Sequence, residues 1–318
     1  MSSRLRFIIR RLLQTVPVLF AMSVFVFLII RLVPGDPVRT MLGFRATDTN
    51  VVQVRSQLGL DRSLIAQYGS FVGGLFHGDF GTDFISKSPL RELLAQRLPV
   101  TLELTVFALG LAVLVGIPLG ILASTGSGWV RRATDGFVIA GISVPDFWLG
   151  IMLVLLFSAT WGLLPPSGFV PLTEDLLQNL RYLLLPVLTL AVAETAYILR
   201  TTRGAMESVL NQPFVTFLHA KGISHRRIVY RHAFKNAAAP VVTVIGIQFG
   251  VLLGGAIVIE TLFGLPGVGR LLVSAINQRN YPVVQAGVLV VAAMFIVVSL
   301  ITDLIVGWLD PRVSDGAL

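Results

Sequence analysis

Six stretches of this chain are long and apolar enough to cross a lipid bilayer. Spanning about 30 Å of hydrocarbon takes about 20 mainly apolar residues, each rising about 1.5 Å in a helix. Residues 12–33, 100–123, 136–156, 182–199, 237–262 and 283–309 meet that requirement, and the first holds an uncharged run over 15–30. Composition agrees. Of 318 residues only 13% are charged, against about 25% in soluble globular chains. The expected fold class is therefore all-α, a polytopic membrane protein with six transmembrane helices. Prolines 17, 118, 145, 186 and 240 punctuate five of the spans and suit a bundle that bends around a path.

Charge position sets the expected orientation. With a cytoplasmic N-terminus the inner side holds Arg4, Arg6, Arg10 and Arg11; Arg131 and Arg132; Arg200, Arg203, Lys221, Arg226, Arg227, Arg231 and Lys235; and Arg312. The short outer loops hold Arg270 and Arg279, with Arg181 at a boundary. This bias predicts both termini in the cytoplasm. The segment 34–98 mixes seven basic with six acidic residues and exceeds the length over which that rule is counted, so it is placed outside. A cleaved signal peptide is not expected, because the first apolar run is too long and no small-x-small site directly follows it. The organisation is then an inner N-terminus and first span (1–33), an external helical segment (34–98), a core of five spans (99–310) with an inner loop at 204–236, and a tail (311–318).

The external segment carries its own helix punctuation. Asp48 or Asn50 is placed to cap a helix stopping at Gly59, Asp61 or Ser63 to cap the next, and Ser88-Pro89 to open a third with Glu92 in its first turn. In the inner loop, Asn211-Gln212-Pro213 interrupts the helix leaving the fourth span. Pro213 suits a helix start and Gly222 the residue just past its end. The helix between has Phe214, Val215, Phe217 and Leu218 as an apolar face. Ser224 then caps a basic helix, 225–235, running into the fifth span. Such a helix suits lipid headgroups, a groove on a soluble partner, or bundle packing. Nucleic acid is not an expected partner, since both ends are tied to spans.

Catalytic chemistry is missing. No lysine sits in a phosphate-loop pattern; the nearest, Gly81 with Lys87-Ser88, has Ser86 where glycine is required. The four histidines, His77, His219, His225 and His232, lie in loops at spacings that fit no helical metal pair. With no cysteine, disulfides, thiolate catalysis and iron–sulfur clusters are excluded. The chain is expected not to be an enzyme. The ionisable residues in or near spans are Glu103, Asp146, Glu194, Glu260 and Asp303. Glu103, Glu260 and Asp303 fall near span ends where water is close. Asp146 and Glu194 lie deeper, and with Glu103 they are candidates for a translocation path or for polar contacts in the bundle. Gly246, Gly250 and Gly254 recur every four residues and form a stripe for close helix packing; Gly116 and Gly120 make a shorter one.

As a set, several motifs carry a resemblance. They are Arg31-Leu32-Val33-Pro34-Gly35-Asp36-Pro37, Leu58-Gly59-Leu60-Asp61, Gly78-Asp79-Phe80-Gly81, Arg97-Leu98-Pro99-Val100-Thr101-Leu102 and Ser143-Val144-Pro145-Asp146-Phe147-Trp148-Leu149-Gly150. Further along come Ala220-Lys221-Gly222, Arg231-His232-Ala233-Phe234-Lys235-Asn236, Gly254-Gly255-Ala256, Pro266-Gly267-Val268-Gly269 and Asp310-Pro311-Arg312. The chain resembles the permease subunits of bacterial ATP-binding-cassette (ABC) importers in the dipeptide, oligopeptide and nickel branch, across nearly its whole length. One departure stands in the inner loop: Thr216, Phe217 and Leu218 occupy positions where the importer-wide coupling motif has Glu-Ala-Ala.

The resemblance implies a type I importer core in the bacterial inner membrane, a homologous second permease, two ATPase subunits that bind ATP and magnesium, and an external binding protein that delivers substrate. No cofactor is expected in this chain. It also implies that Pro213, Phe214, Phe217, Leu218, Ala220, Lys221 and Gly222 couple to the ATPases, with Arg226 and Arg227 meeting acidic ATPase surface or anionic lipid. An alternative is a secondary transporter driven by an ion gradient, with Asp146 and Glu194 as coupling acids.

Overall fold

The computed structural model describes residues 3–32, 38–39, 46–57 and 59–309. The motif at 31–37 lies largely outside them, and Leu58, the motif at 310–312 and the tail wholly so. Eleven helices organise the rest: α1 (Ser3–Leu32), α2 (Asp48–Gln57), α3 (Leu64–Phe76), α4 (Leu90–Thr125), α5 (Gly128–Ser143), α6 (Asp146–Leu153), α7 (Leu176–Leu210), α8 (Pro213–Ala220), α9 (His225–Leu262), α10 (Val268–Asn277) and α11 (Tyr281–Leu309). Among the described residues there is no sheet, only an isolated bridge between Thr82 and Pro89.

Among the described residues five helices are long and apolar enough to cross a bilayer, and a sixth span exists if α5 and α6 count as one. The third span is not the continuous helix expected over 136–156. It breaks between Ser143 and Asp146 with a bend of 100°, and α6 continues as a wide π-turn over Val154–Thr160. Pro145 has no N–H to continue the ladder, and it restricts the residue before it; Val144 is accordingly extended, at φ −86° and ψ 122°. The fourth span also exceeds the expected 182–199, since α7 runs for 35 residues. Helix α4 crosses residues 98–99 without a break, so its first turns belong to the outer layer and its remainder to the core.

Helices α4, α7 and α9 form the centre of the bundle. Leu104, Leu190, Ala256, Ile259 and Phe263 meet there with at most 1% of their surface exposed. In lipid there is no hydrophobic drive between spans, so close backbone approach holds them together. Gly116 and Gly120 provide it between α4 and α7: a Cβ on Gly120 would stand 2.6 Å from Thr202 Cβ and 2.8 Å from the Leu199 carbonyl. In α9 the stripe is used in part. A Cβ on Gly246 would stand 2.3 Å from Thr302 Oγ1, and one on Gly250 the same distance from the Phe295 ring, both on α11. Gly254 has nothing within 4 Å. At the end of the bundle that carries the basic loops, Arg11 pairs with Asp303 at 3.2 Å, tying α1 to α11.

The outer layer has the expected short helices with small differences. Ser63 caps α3 by accepting the Ala66 N–H. Thr47 rather than Asp48 or Asn50 precedes α2 and accepts from Asn50 N–H at 3.4 Å. The next helix begins at Leu90, with Pro89 at its cap. Tyr68 of α3 joins α1 through an O···O contact of 2.8 Å to Ser23 and an edge-on ring contact with Phe27. The segment between α9 and α11, read as a plain outer loop, contains α10, whose Val268, Leu272 and Ala275 are buried against α4 and α11.

Asp83 ties the outer layer to the core. Its carboxylate accepts the Ile85 N–H at 2.8 Å, the Ser86 hydroxyl at 2.6 Å and the Asn280 amide. Burial pushes this carboxyl up, but the hydrogen bonds outweigh it and hold it below the usual carboxylate range. A depressed folded value means the tie is at full strength above the ordinary value of 3.8 and is lost as pH falls through the lowered one. Amide protection over 79–89, corrected for the intrinsic pH dependence of exchange, is predicted to stay flat from neutral pH down to that ordinary value and to fall below it, so that corrected exchange rises. A rise between pH 7 and 5 would contradict this. For the stripe, Gly246→Val is predicted to lower the thermal midpoint of the detergent-purified protein through an overpacking cost of about 1–3 kcal/mol, while Gly254→Ala leaves it unchanged.

Candidate functional site

The inner loop is built from the end of α7. That helix stops at Leu210, Asn211 and Gln212 make the turn, and Pro213 opens α8 at its first position. Lys221 closes α8, and Gly222 follows at φ +76°, a conformation that favours glycine. Both boundary signals in the sequence are used as expected.

The four apolar residues of α8 do not share one fate. Val215 is buried and Phe214 packs against an inner cluster formed by Ile121, Met206, Val209, Val229, Ala233 and Ala237. These two root the helix in its own bundle. Phe217 points away from it and is 58% exposed; Leu218 is half-buried. Lys221 Nζ stands 4.5 Å from the centre of the Phe217 ring. The His219 ring stacks on His225 at 5.9 Å between centroids. Pro213, Ala220, Arg226 and Arg227 are exposed around them. The face turned away from the bundle therefore joins one large aromatic ring to a basic rim.

What α8 rests on is also unusual. Helix α9 begins with a single α-turn and widens into a π-turn over Ile228–Ala233, with Ile228, Val229 and Ala233 buried. Ser224 stands at the cap position but makes no side-chain capping bond. A π-turn of this kind often marks a functional site, and here it lies directly under the α8 loop.

The acids of the spans fall into three settings. Glu194 on α7 is buried and accepts the Gln248 amide of α9 at 2.6 Å. Asp146 is half-buried at the start of α6, where its carboxylate faces Gly255 of α9. Glu103 is half-buried on α4 and faces Asn179 of α7. Glu194 and Asp146 thus sit at one level with the break in the third span, and Glu103 stands apart. Glu260, expected near water, has none of its surface exposed. It accepts the Thr101 hydroxyl at 2.6 Å and the Arg270 N–H at 2.8 Å. The loop at Gly267 and Gly269 closes over it so tightly that a Cβ on Gly267 would fall 2.3 Å from the carboxyl. Glu260 is a keystone for the Pro266–Gly269 motif, which the sequence shows only as a pair of glycines beyond a span. Among the described residues no group of three potential metal ligands converges.

Comparison with known proteins adds the family. Residues 116–315 match the family described as binding-protein-dependent transport system inner membrane component, and residues 4–105 match the N-terminal region of the same kind of protein. The dipeptide transport system permease protein DppB of Escherichia coli (strain K12) is 40% identical over 334 aligned positions, covering 97% of this chain and 98% of DppB. A chain of Brucella abortus (strain 2308), provisionally named a peptide transport system permease protein, is 38% identical over 307 positions, covering 96% and 98%. In fold, the chain is similar to the MetNI methionine ABC transporter in an inward-facing conformation, with a TM-score of 0.58 at 17% identity over 69% of this chain and 96% of that one.

A bundle of spans without catalytic chemistry, interrupted by an inner helix with an exposed aromatic ring, thus coincides with a family match over most of its length. The chain belongs to the binding-protein-dependent transport system inner membrane components: it is a multi-pass inner-membrane permease subunit of an ABC importer, itself neither catalytic nor cofactor-bearing, and it works with ATPase and binding-protein partners.

Proposed function

We propose that this chain forms half of the path by which an ATP-driven importer takes up dipeptides or oligopeptides. In this reading a second, homologous permease supplies the other half. Two ATPase subunits sit against the inner loop, an external binding protein delivers the peptide, and both termini face the cytoplasm. The cargo assignment rests on the similarity to DppB, which spans nearly the whole of both chains. The outer layer of α2, α3 and the Asp83 loop is the surface offered to the binding protein. The ion-driven alternative is set aside by family membership, and Glu194 is committed to Gln248 within the bundle.

The observation that carries the coupling mechanism is the split in α8. A lever needs a rooted side and a gripped side. Val215 and Phe214 are rooted, and Phe217 with its basic rim is free to enter a groove on the ATPase. When the ATPases close on ATP, that groove moves, and α7 and α9 rock with α8 because both continue into it. Lys221, Arg226 and Arg227 at the rim steer the encounter more than they strengthen it.

Phe217→Glu tests this. The exchange removes an aromatic anchor and buries a charge, at about 2 kcal/mol of docking free energy, or about thirtyfold in the docking constant. Membrane insertion is expected to remain intact, because Phe217 touches little of the bundle. Uptake should collapse while residual ATP hydrolysis no longer responds to loaded binding protein. Normal substrate-stimulated hydrolysis in reconstituted vesicles would overturn the assignment. The cargo is tested separately by calorimetry on the cognate binding protein. Dipeptides and oligopeptides are expected to bind; nickel binding with no peptide binding would move the importer to another substrate class.

A further inference from the structure

Helix α5 is lightly embedded. Among its residues only Thr134 and Gly141 are buried. It meets α7 at two places. At mid-depth a Cβ on Gly141 would stand 3.0 Å from Ala196 Cβ and 3.3 Å from the Val192 carbonyl, so the helices touch there. Near the inner end the contact is made of charge. Arg203 of α7 donates from Nε to Glu207 at 3.0 Å and from its terminal nitrogen to Asp135 of α5. Arg131, one turn before Asp135, reaches the same Glu207 oxygen at 3.2 Å. Beside this cluster lies a cavity of about 650 Å³, lined by Val138, Ile139, Leu199 and Gly204 together with Asp135, Arg200, Arg203 and Glu207. The inner half of α5 is therefore held to α7 by an ionic tie in place of apolar packing.

The tie stands between α8 and the break in the third span. In one direction α7 runs from Arg203 through Leu210 to the turn that opens α8 at Pro213. In the other, α5 runs from Asp135 to Ser143 and the 100° break at Pro145. Backbone broken at membrane depth is tolerated only where protein covers it or where it lines a water-filled cavity. The break is thus a feature of the bundle interior or of the path itself. Arg203 is the most enclosed member of the cluster, its side chain 15% exposed against 33–55% for its partners. Its attraction to the two carboxylates is accordingly screened less than that of a surface pair. The planar guanidinium also serves two acceptors on two helices at once, which an ammonium does with much less directional control.

We propose that Arg203 is a positioning residue of the transport cycle: it makes α5 follow α7, so that displacement of α8 reaches the break in the third span. The proposal rests on the reading of α8 as the helix gripped by the ATPases.

The experiment uses the complete importer in vesicles, measuring peptide uptake and ATP hydrolysis in parallel. Arg203→Gln is expected to keep hydrolysis within about twofold of wild type while uptake per ATP falls about tenfold. Arg203→Lys should recover only part of the loss. Asp135→Asn removes the charge of the same contact from its half-exposed side and gives the same readout in direction should Arg203→Gln not reach the membrane. Because this chain has no cysteine, Asp135→Cys with Arg203→Cys provides the one thiol pair within it, and the reagent-treated wild-type importer is the control for thiols in its partners. The pair should be uncoupled when untreated and coupled again once bridged by a short bifunctional thiol reagent. Wild-type uptake per ATP in Arg203→Gln or Asp135→Asn would overturn the proposal. So would a parallel loss of hydrolysis and uptake, or a bridged pair that stays uncoupled. Wild-type vesicles that take up peptide with the ATPases left out would instead overturn the importer reading beneath it.

Discussion

A polypeptide in hydrocarbon has to satisfy its own backbone hydrogen bonds, and without a hydrophobic drive between helices it has to hold them together by shape. The rest of this structure follows from that pair of constraints. Long helices meet the first. Glycines facing a neighbour's backbone or short side chains meet the second: Gly120 on Thr202 and Leu199, Gly246 on Thr302, Gly141 on Ala196. Span hydroxyls turn back onto their own helices, as Thr105 does to the Thr101 carbonyl at 2.8 Å and Thr189 to that of Leu185 at 2.7 Å. Where the backbone departs from helical hydrogen bonding, at Val144-Pro145, something other than lipid has to face it.

The same constraint sorts the buried acids. A carboxylate inside a membrane bundle is costly unless hydrogen bonds and packing are arranged around it. Glu260 is enclosed by donors from two other parts of the chain, α4 and the start of α10, and the glycines at 267 and 269 are required because any side chain there would collide with it. Its consequence is a fixed outer corner joining α4, α9 and α10. Glu194 has a single partner in Gln248 and lies at the level of the break, beside half-buried Asp146. One acid is locked into architecture, and the other two stand where α6, α7 and α9 converge with fewer donors around them.

Much of the fold is legible in the sequence, because the lipid requirement is a one-dimensional test: about 20 apolar residues in a row. The short helix α8 is legible for a different reason, since Pro213 and Gly222 encode its two ends in backbone chemistry. What could not be read depends on contacts remote in sequence. Pro145 announces a kink, but an angle of 100° is set by where α5 and α6 find close packing, through Gly141 on Ala196 and through Gly150 on Leu262 and Phe263. Helix α10 begins within the Pro266-Gly267-Val268-Gly269 run, which in sequence shows only a pair of glycines beyond a span, and its identity comes from burial against α4 and α11. The apolar face of α8 looks uniform in sequence, yet tertiary packing takes Val215 and leaves Phe217. Arg203 carries only a sign for orientation until Asp135, far from it in the chain, is placed at its side.

A subunit with no fuel of its own has to convert a push at one end into an opening elsewhere, and stiffness decides whether that succeeds. The helix α7 supplies stiffness along the bundle: it is 35 residues long and is packed on α4 and α9 for most of its length. Across the bundle the connections differ in kind. Glycine contacts permit little change of distance, because the backbones are already touching. The Arg203 cluster is directional but has neither a glycine contact nor close apolar packing beside it, and it spans a gap. A push from α8 would therefore meet rigid joints at mid-depth and an ionic joint near the inner end. In such an arrangement α5 pivots about its Gly141 contact, and the amplitude of that pivot depends on whether the ionic joint holds. The break at Pro145, two residues beyond the end of α5, is where the pivot would be felt.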